Sequence, residues 1–341
     1  MTPYIADADF VLYLGDALDV LAKLPDESID CCVTSPPYWG LRDYGTAEWT
    51  GGSSDCSHLL PLPPDDSKQI TNVGSWAHRY RDTCRDCGAT RVDAQLGLEA
   101  TPDEYVAKLV ALFEQVRRLL RPSGTLWLNL GDTYAAKQLV GIPHRVAFAL
   151  QASGWLLRAD VVWSKPNQFP EAVTDRPTKA HEYVFMLTRS SRYYFAQDDV
   201  REPHARLWNE RNGGTMSRSN PVEAAAGRAP QGEAHRGPYP LPNPKGRNVR
   251  SVWSFPTAPL PDAHFATFPI ELPRRCIMAS CPPAGTVLDP FMGSGTTALA
   301  ARELGRSAVG VELSDEYAAL CARRTQQLSL TAPEQLSLAL P

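Results

Sequence analysis

The chain has 341 residues, 43% of them hydrophobic and 21% charged, and a formal net charge of −4. That length allows one large α/β domain with insertions, or two domains, and the composition excludes a disordered or fibrous chain. The charge excludes a uniformly basic nucleic-acid coat, no apolar run approaches the roughly 18 residues of a membrane span, and the first ten residues lack a secretion signal, so a cytoplasmic protein without membrane partners is expected.

Phe10 to Leu14 reads as a strand ended by Gly15-Asp16, Ala17 to Leu24 as a helix, and Ile29 to Val33 as a second, buried strand. Thr34-Ser35-Pro36-Pro37-Tyr38-Trp39 follows at once. Two prolines can neither join a ladder nor continue a helix, so the chain leaves the sheet there as a rigid turn. That turn carries a hydroxyl, carbonyls and two aromatic faces, which suits a flat base with an exocyclic amino group. An ordinary proline corner has the same look.

Residues 45–95 are rich in Gly, Ser, Asp and Pro and hold three of the eight cysteines. With no signal peptide, a disulfide framework is not expected. Cys56-x-His58 and Cys84-x-x-Cys87-Gly88 instead have the ligand types and spacing of a closed, structural zinc site, with His78 as a rival for His58. The deaminase pattern, another zinc chemistry on bases, lacks its His-x-Glu element here.

Thr101 with Glu104 forms a capping box, and Pro102 takes the first position of a helix over 101–121. Thr125 to Leu130 reads as a strand, Gly141 to Ser153 as a helix, and Leu156 to Trp163 as a strand. Residues 181–188 and 192–195 read as a pair of further strands. Repeated alternation predicts a largely parallel sheet covered by helices on both faces. The Gly- and Pro-rich segment 198–250 breaks the pattern. It holds nine Lys/Arg against six Asp/Glu, +3 in an acidic chain, and reads either as a solvated insertion or as a nucleic-acid-facing loop. Pro282 to Asp289 is then a turn and strand, Thr296 to Leu304 a helix, Ala308 to Leu313 a strand, and Ser314 caps a last helix through Arg324. A loose tail begins at about Leu328.

Leu288-Asp289-Pro290-Phe291-Met292-Gly293-Ser294-Gly295-Thr296-Thr297-Ala298 joins a strand to a helix. Its glycines permit a tight turn and close approach of a ligand, and Glu312, at the end of the next strand, can accept ribose hydroxyls. The loop also fits a loose dinucleotide fingerprint, so an NAD-dependent oxidoreductase is an alternative. Its late position and the Asp-Pro-Phe ahead of it point elsewhere.

The Thr34–Trp39 turn and the Asp289–Thr297 loop, in that order, resemble the amino-methyltransferases of DNA. So do GTLWLNLGD, GWLLRADVVWSKPN, HEYVFMLT with RYYF, and HFATFPIEL, and the resemblance covers most of residues 8–325. It implies an α/β, class I S-adenosylmethionine-dependent methyltransferase fold: a Rossmann-like doubly wound sheet in the circularly permuted, β-class order, with inserted loops. The catalytic half is then 1–197 with a zinc-binding insertion at 45–95, target recognition 198–250, the cofactor half 251–327, and the tail 328–341. Ser35, Pro36, Pro37 and Tyr38 would be catalytic. Asp289, Phe291, Gly293, Gly295 and Thr296 would line the S-adenosylmethionine loop, and Glu312 would hold the ribose. Asp16 would face the adenine or merely cap a helix. His264, Thr267 and Phe268 would stand near the cofactor or merely pack the core.

The Ser35 hydroxyl and Pro36 carbonyl would accept the amino hydrogens, Tyr38 would stack on a flipped base, and the methyl would be attacked in line. Family members acting on adenine usually carry Asp or Asn at position 35. The Ser-Pro-Pro-Tyr variant implies cytosine N4, with adenine N6 as the alternative. Duplex DNA is the expected partner of a monomer or homodimer, with a cognate restriction endonuclease sharing its site. A zinc-stabilised nucleic-acid binder without catalysis and a methyltransferase of RNA or protein are further alternatives.

Overall fold

The computed structural model describes residues 1–40, 48–56, 83–84, 86–92, 95–168, 170–204, 243–257 and 267–331. In chain order the strands are β1 (Ile5–Ala6), β2 (Phe10–Leu14), β3 (Ile29–Thr34), β4 (Glu48–Thr50), β5 (Thr90–Val92), β6 (Leu120–Leu130), β7 (Tyr134–Ala135), β8 (Gln138–Leu139), β9 (Leu156–Ser164), β10 (His181–Thr188), β11 (Val252–Ser254), β12 (Thr286–Asp289) and β13 (Ser307–Glu312). The helices are α1 (Ala17–Leu21), α2 (Pro102–Leu119), α3 (Ile142–Ala152), α4 (Glu271–Ser280), α5 (Thr296–Glu303) and α6 (Asp315–Thr331). None of the described helices is long and apolar enough to cross a membrane.

Nine strands form one sheet in the order β1-β2-β13-β12-β3-β6-β10-β9-β11. From β2 to β6 every neighbour pair is parallel, whereas β10 runs antiparallel to both β6 and β9. Leaving β12 through α5, the chain steps to β13 on one side. Leaving β3 through α2, it steps to β6 on the other. Connections that diverge from adjacent parallel strands open a crevice at the strands' carboxyl ends, where α/β sheets take ligands. Both sequence motifs leave the sheet at that crevice.

On one face of the sheet α1, α2 and α3 cover Cys32, Leu126, Leu128, Leu288 and Val311, with Leu109, Phe113 and Val116 of α2 wholly buried. The start of α2 is fixed as expected. Thr101 Oγ1 accepts the Glu104 N–H at 3.2 Å, with Pro102 in the first turn. Arg118, near its end, donates to Leu21 O at 2.7 Å and Leu24 O at 3.0 Å, tying α2 to the end of α1. On the opposite face Ser280, at the end of α4, accepts from Thr125 Oγ1 at 2.8 Å and Trp127 Nε1 at 2.6 Å. These bonds hold α4 on β6.

Several elements differ from expectation. Pro122-Ser123-Gly124 does not precede β6 but lies inside it as an irregularity: Ile29 pairs with Leu120 while Cys31 pairs with Thr125. The expected strand 192–195 does not form. Both edges of β10 are already occupied by β6 and β9, and Ser190 turns the chain with its side chain, donating to Arg192 O and accepting Arg192 N–H. α4 forms although Pro273 sits within it and no side chain caps it. Proline is tolerated there because it falls in the first turn, where N–H groups have no helical partner.

The chain divides into two compact units, residues 1–196 with 250–341, and Gln197–Val249. In the second unit Glu202 and Arg247 exchange backbone hydrogen bonds of 2.9 and 2.8 Å. Three of the basic residues counted in the sequence are paired there: Arg201 and Lys245 with Asp198, and Arg247 with Glu202.

Candidate active site

Parallel pairing of β3 with β12 sets Cys32 beside Leu288, so the chain turns at Ser35 and at Pro290 stand side by side. Thr34 Oγ1 donates to Asp289 Oδ1 at 2.6 Å, joining the two motifs directly. Thr297 Oγ1 donates to Asp289 Oδ2 at 2.6 Å and the Phe291 N–H to Oδ1 at 3.0 Å. Asp289 is 1% exposed, and burial pushes its carboxyl up to about 6 despite these three donors. It is thus placed to shape the loop rather than presented at its surface.

The loop needs its glycines. Gly293 and Gly295 have φ of +53° and +85°, conformations costly for other residues. A Cβ on Gly295 would also lie 2.7 Å from Cys321 Sγ of α6. The Gly293 N–H donates to Glu312 Oε2 at 2.7 Å, and Ser314 N–H to Oε1 at 2.8 Å. Burial raises the Glu312 carboxyl, offset by these backbone donors. Thr296 is buried and faces Arg324, which donates to Ser294 O at 2.6 Å and Thr296 Oγ1 at 3.3 Å. Asp16 caps α1, accepting from Leu18 N at 2.9 Å and Asp19 N at 3.1 Å. It stands at the same edge as Glu312, because Leu14 pairs with Glu312 and Gly15 N–H donates to Glu312 O. The neighbouring Leu14 and Leu18 are exposed. Phe291, Thr267 and Phe268 are half-buried, and His264 lies outside the described residues.

In the Ser-Pro-Pro-Tyr turn, Pro37 O accepts from Tyr105 of α2 at 2.8 Å, and Trp39 Nε1 donates to Glu99 O at 2.9 Å. Tyr38 packs on Gly131, where a Cβ would fall 2.5 Å from Tyr38 Cε2. Its hydroxyl belongs to a network that the sequence did not reveal. Ser35 Oγ donates to Tyr38 Oη at 3.1 Å, and Tyr38 Oη to Glu182 Oε2 at 2.8 Å. Asn129 Nδ2 donates to Tyr38 Oη at 2.8 Å and Glu182 Oε2 at 2.9 Å. Lys165 pairs with Glu182 Oε1. Burial, and then Glu182, hold the Tyr38 phenol well above its ordinary range, so it stays protonated. Asn129, Lys165 and Glu182 come from the ends of β6, β9 and β10. Each lies in a segment that carries the resemblance, but none was singled out as a site residue; sheet order brings them together.

Of the expected zinc ligands, Cys56, Cys84 and Cys87 come together, their sulfurs within 4.8 Å of one another. His58 and His78 lie outside the described residues. The β4–β5 ladder brings the two cysteine segments side by side. The Cys84 N–H to Ala89 O bond of 2.7 Å and Gly88 at φ +74° form the knuckle turn. Backbone N–H groups of Ser53 and Ala89 hold the Cys87 thiol below its ordinary value.

Residues 29–323 match the DNA methylase family. The chain is 36% identical to the type II methyltransferase M.Cfr9I of Citrobacter freundii, over 92% of this chain and 87% of that protein. It is 37% identical to M.XycI of Xanthomonas campestris pv. cyanopsidis, with the same coverage. Among solved structures it resembles the PvuII DNA methyltransferase (cytosine-N4-specific), with a TM-score of 0.59 at 18% identity, covering 98% of this chain and 90% of that one. The sheet is therefore the class I, Rossmann-like methyltransferase fold. With its two motifs joined at the switch point and this similarity along nearly its whole length, the chain belongs to the DNA methylase family.

Proposed function

We propose that the protein transfers a methyl group from S-adenosylmethionine to the exocyclic N4 of a cytosine flipped out of duplex DNA. The 2.6 Å bond between Thr34 and Asp289 carries this reading, because it fixes the base-handling turn against the glycine loop. The residues at the loop fit the cofactor. A half-buried carboxylate, Glu312, stands beside a positive-φ glycine, and exposed Leu14 and Leu18 offer an apolar wall beside Asp16. Glu312 and Asp16 would hold the ribose and adenine, Phe291, Gly293 and Gly295 would border the cofactor, and Asp289 and Thr296 would keep the loop in shape. Thr267, Phe268 and His264 would stand near it. When bound, S-adenosylmethionine supplies an electrophilic methyl group.

The amino nitrogen of cytosine is a weak nucleophile because its lone pair is delocalised into the ring. Ser35 Oγ and Pro36 O, as acceptors for its hydrogens, would favour the pyramidal, nucleophilic form. Pro37 would stiffen the turn, and the Tyr38 ring would stack on the base. Segment 198–250 we assign to target recognition, and the kinship with type II methyltransferases supports a cognate restriction endonuclease. Serine at position 35 favours cytosine over adenine. Nucleoside mass spectrometry of plasmid DNA from cells expressing the protein tests the reading.

A structural zinc on Cys56, Cys84 and Cys87 belongs to the same proposal. A zinc–sulfur bond of about 2.3 Å in a tetrahedron sets sulfurs roughly 3.8 Å apart, and Cys56 Sγ lies 3.7 Å from Cys84 Sγ. His58, or its rival His78, would complete the set and leave no open position for catalysis.

A further inference from the structure

Glu182 and Lys165 play no part in the chemistry set out above, yet they underlie the reactive turn. Their side chains are 15% and 12% exposed and pair with each other. An ionised carboxylate only accepts hydrogen bonds. Tyr38 has one hydroxyl proton, and at 2.8 Å from Glu182 Oε2 that proton is committed to the carboxylate. The Tyr38 oxygen must then accept, and it does so from Asn129 Nδ2 and from Ser35 Oγ. Ser35 in turn has only one proton, and it points to Tyr38. The polarity of the chain is thus set from Glu182 outward. It leaves Ser35 solely an acceptor toward the base, whereas a freely rotating serine could also turn its proton there.

We propose that Glu182, anchored by Lys165, positions Ser35 as an acceptor and terminates a proton relay running Ser35 Oγ, Tyr38 Oη, Glu182 Oε2. The proposal rests on the methyl-transfer reading above. As the amino nitrogen bonds the methyl carbon, the carbon–sulfur bond breaks with its electron pair on sulfur, and the nitrogen becomes cationic. Its proton passes to Ser35 Oγ, the Ser35 proton to Tyr38, and the Tyr38 proton to Glu182. Both hydroxyls end as they began. The net change is one proton on Glu182, released to water as product leaves. The charged and titratable groups facing Glu182 are Tyr38 from the turn, Lys165 after β9, and Lys179 and His181 ahead of and within β10.

The test compares kcat and KM of the full-length wild type, Glu182→Gln, Tyr38→Phe and the double variant on plasmid DNA with S-adenosylmethionine. Tyr38→Phe keeps the stacking ring and removes only the relay oxygen, so it serves even if Glu182→Gln folds poorly. Each single variant is expected to lower kcat at least tenfold with KM for S-adenosylmethionine within twofold. The double variant should be no slower than the slower single, because both changes break one chain. Single variants at wild-type kcat, losses carried by KM alone, or losses that multiply in the double variant would overturn the relay. A wild type that leaves DNA unmethylated would overturn the methyl-transfer reading itself, and the relay with it.

Discussion

Two segments 255 positions apart meet through one hydrogen bond, from Thr34 to Asp289. The carboxylate at its centre is buried, and its folded value of about 6 lies above the ordinary 3.8. The sign follows from linkage: a raised carboxyl favours the folded state below the unfolded value and loses that contribution as pH rises through 6. On passing from pH 7 to pH 4, wild type should therefore gain stability from this group, on the order of 2 kcal/mol. Asp289→Asn should lack that increment, and thermal unfolding of both proteins across this range measures the difference. At Ser35 the expected outcome is kinetic. Ser35→Ala should lose most turnover while binding S-adenosylmethionine as wild type does; unchanged turnover would remove Ser35 from the chemistry. Ser35 and Asp289 were legible in the sequence because each lies in a short contiguous motif at a strand's end. For Asn129, Lys165 and Glu182 only the segments that hold them were legible; their convergence was not, because their strands are separate in sequence and become neighbours only in the sheet.

At the scale of elements, the glycine loop shows which local signals are strong. Positive φ at Gly293 and Gly295 agrees with the choice of glycine there, and the capping box of α2 was readable from Thr101 and Glu104. Arg324, which clamps Ser294 and Thr296 from α6, left no trace in the loop's own sequence. The 192–195 stretch has strand-forming residues but no free edge to join, so tertiary context overrode propensity. The insertion between β4 and β5 carries its own test. We expect about one zinc per chain by elemental analysis, with Cys84→Ser losing it and the proteolytic resistance of residues 45–95 falling. A folded, metal-free wild type would contradict the zinc site.

At the scale of the whole molecule, the fold class was legible because strands and helices alternate with clear stops. Residue patterns did not reveal that β10 runs against its neighbours. That reversal places the start of β10, with Glu182, at the same edge as the ends of β3, β6 and β9. The sheet thus brings dispersed residues together at the switch point, where the function proposed above has a base meet a methyl donor. Expressing the protein in cells lacking other DNA methylation, then measuring plasmid nucleosides by mass spectrometry, tests this most directly. N4-methylcytosine is expected, abolished by Ser35→Ala. N6-methyladenine in its place would contradict the base assignment, and unmodified DNA from cells containing the folded protein would contradict catalysis at this site.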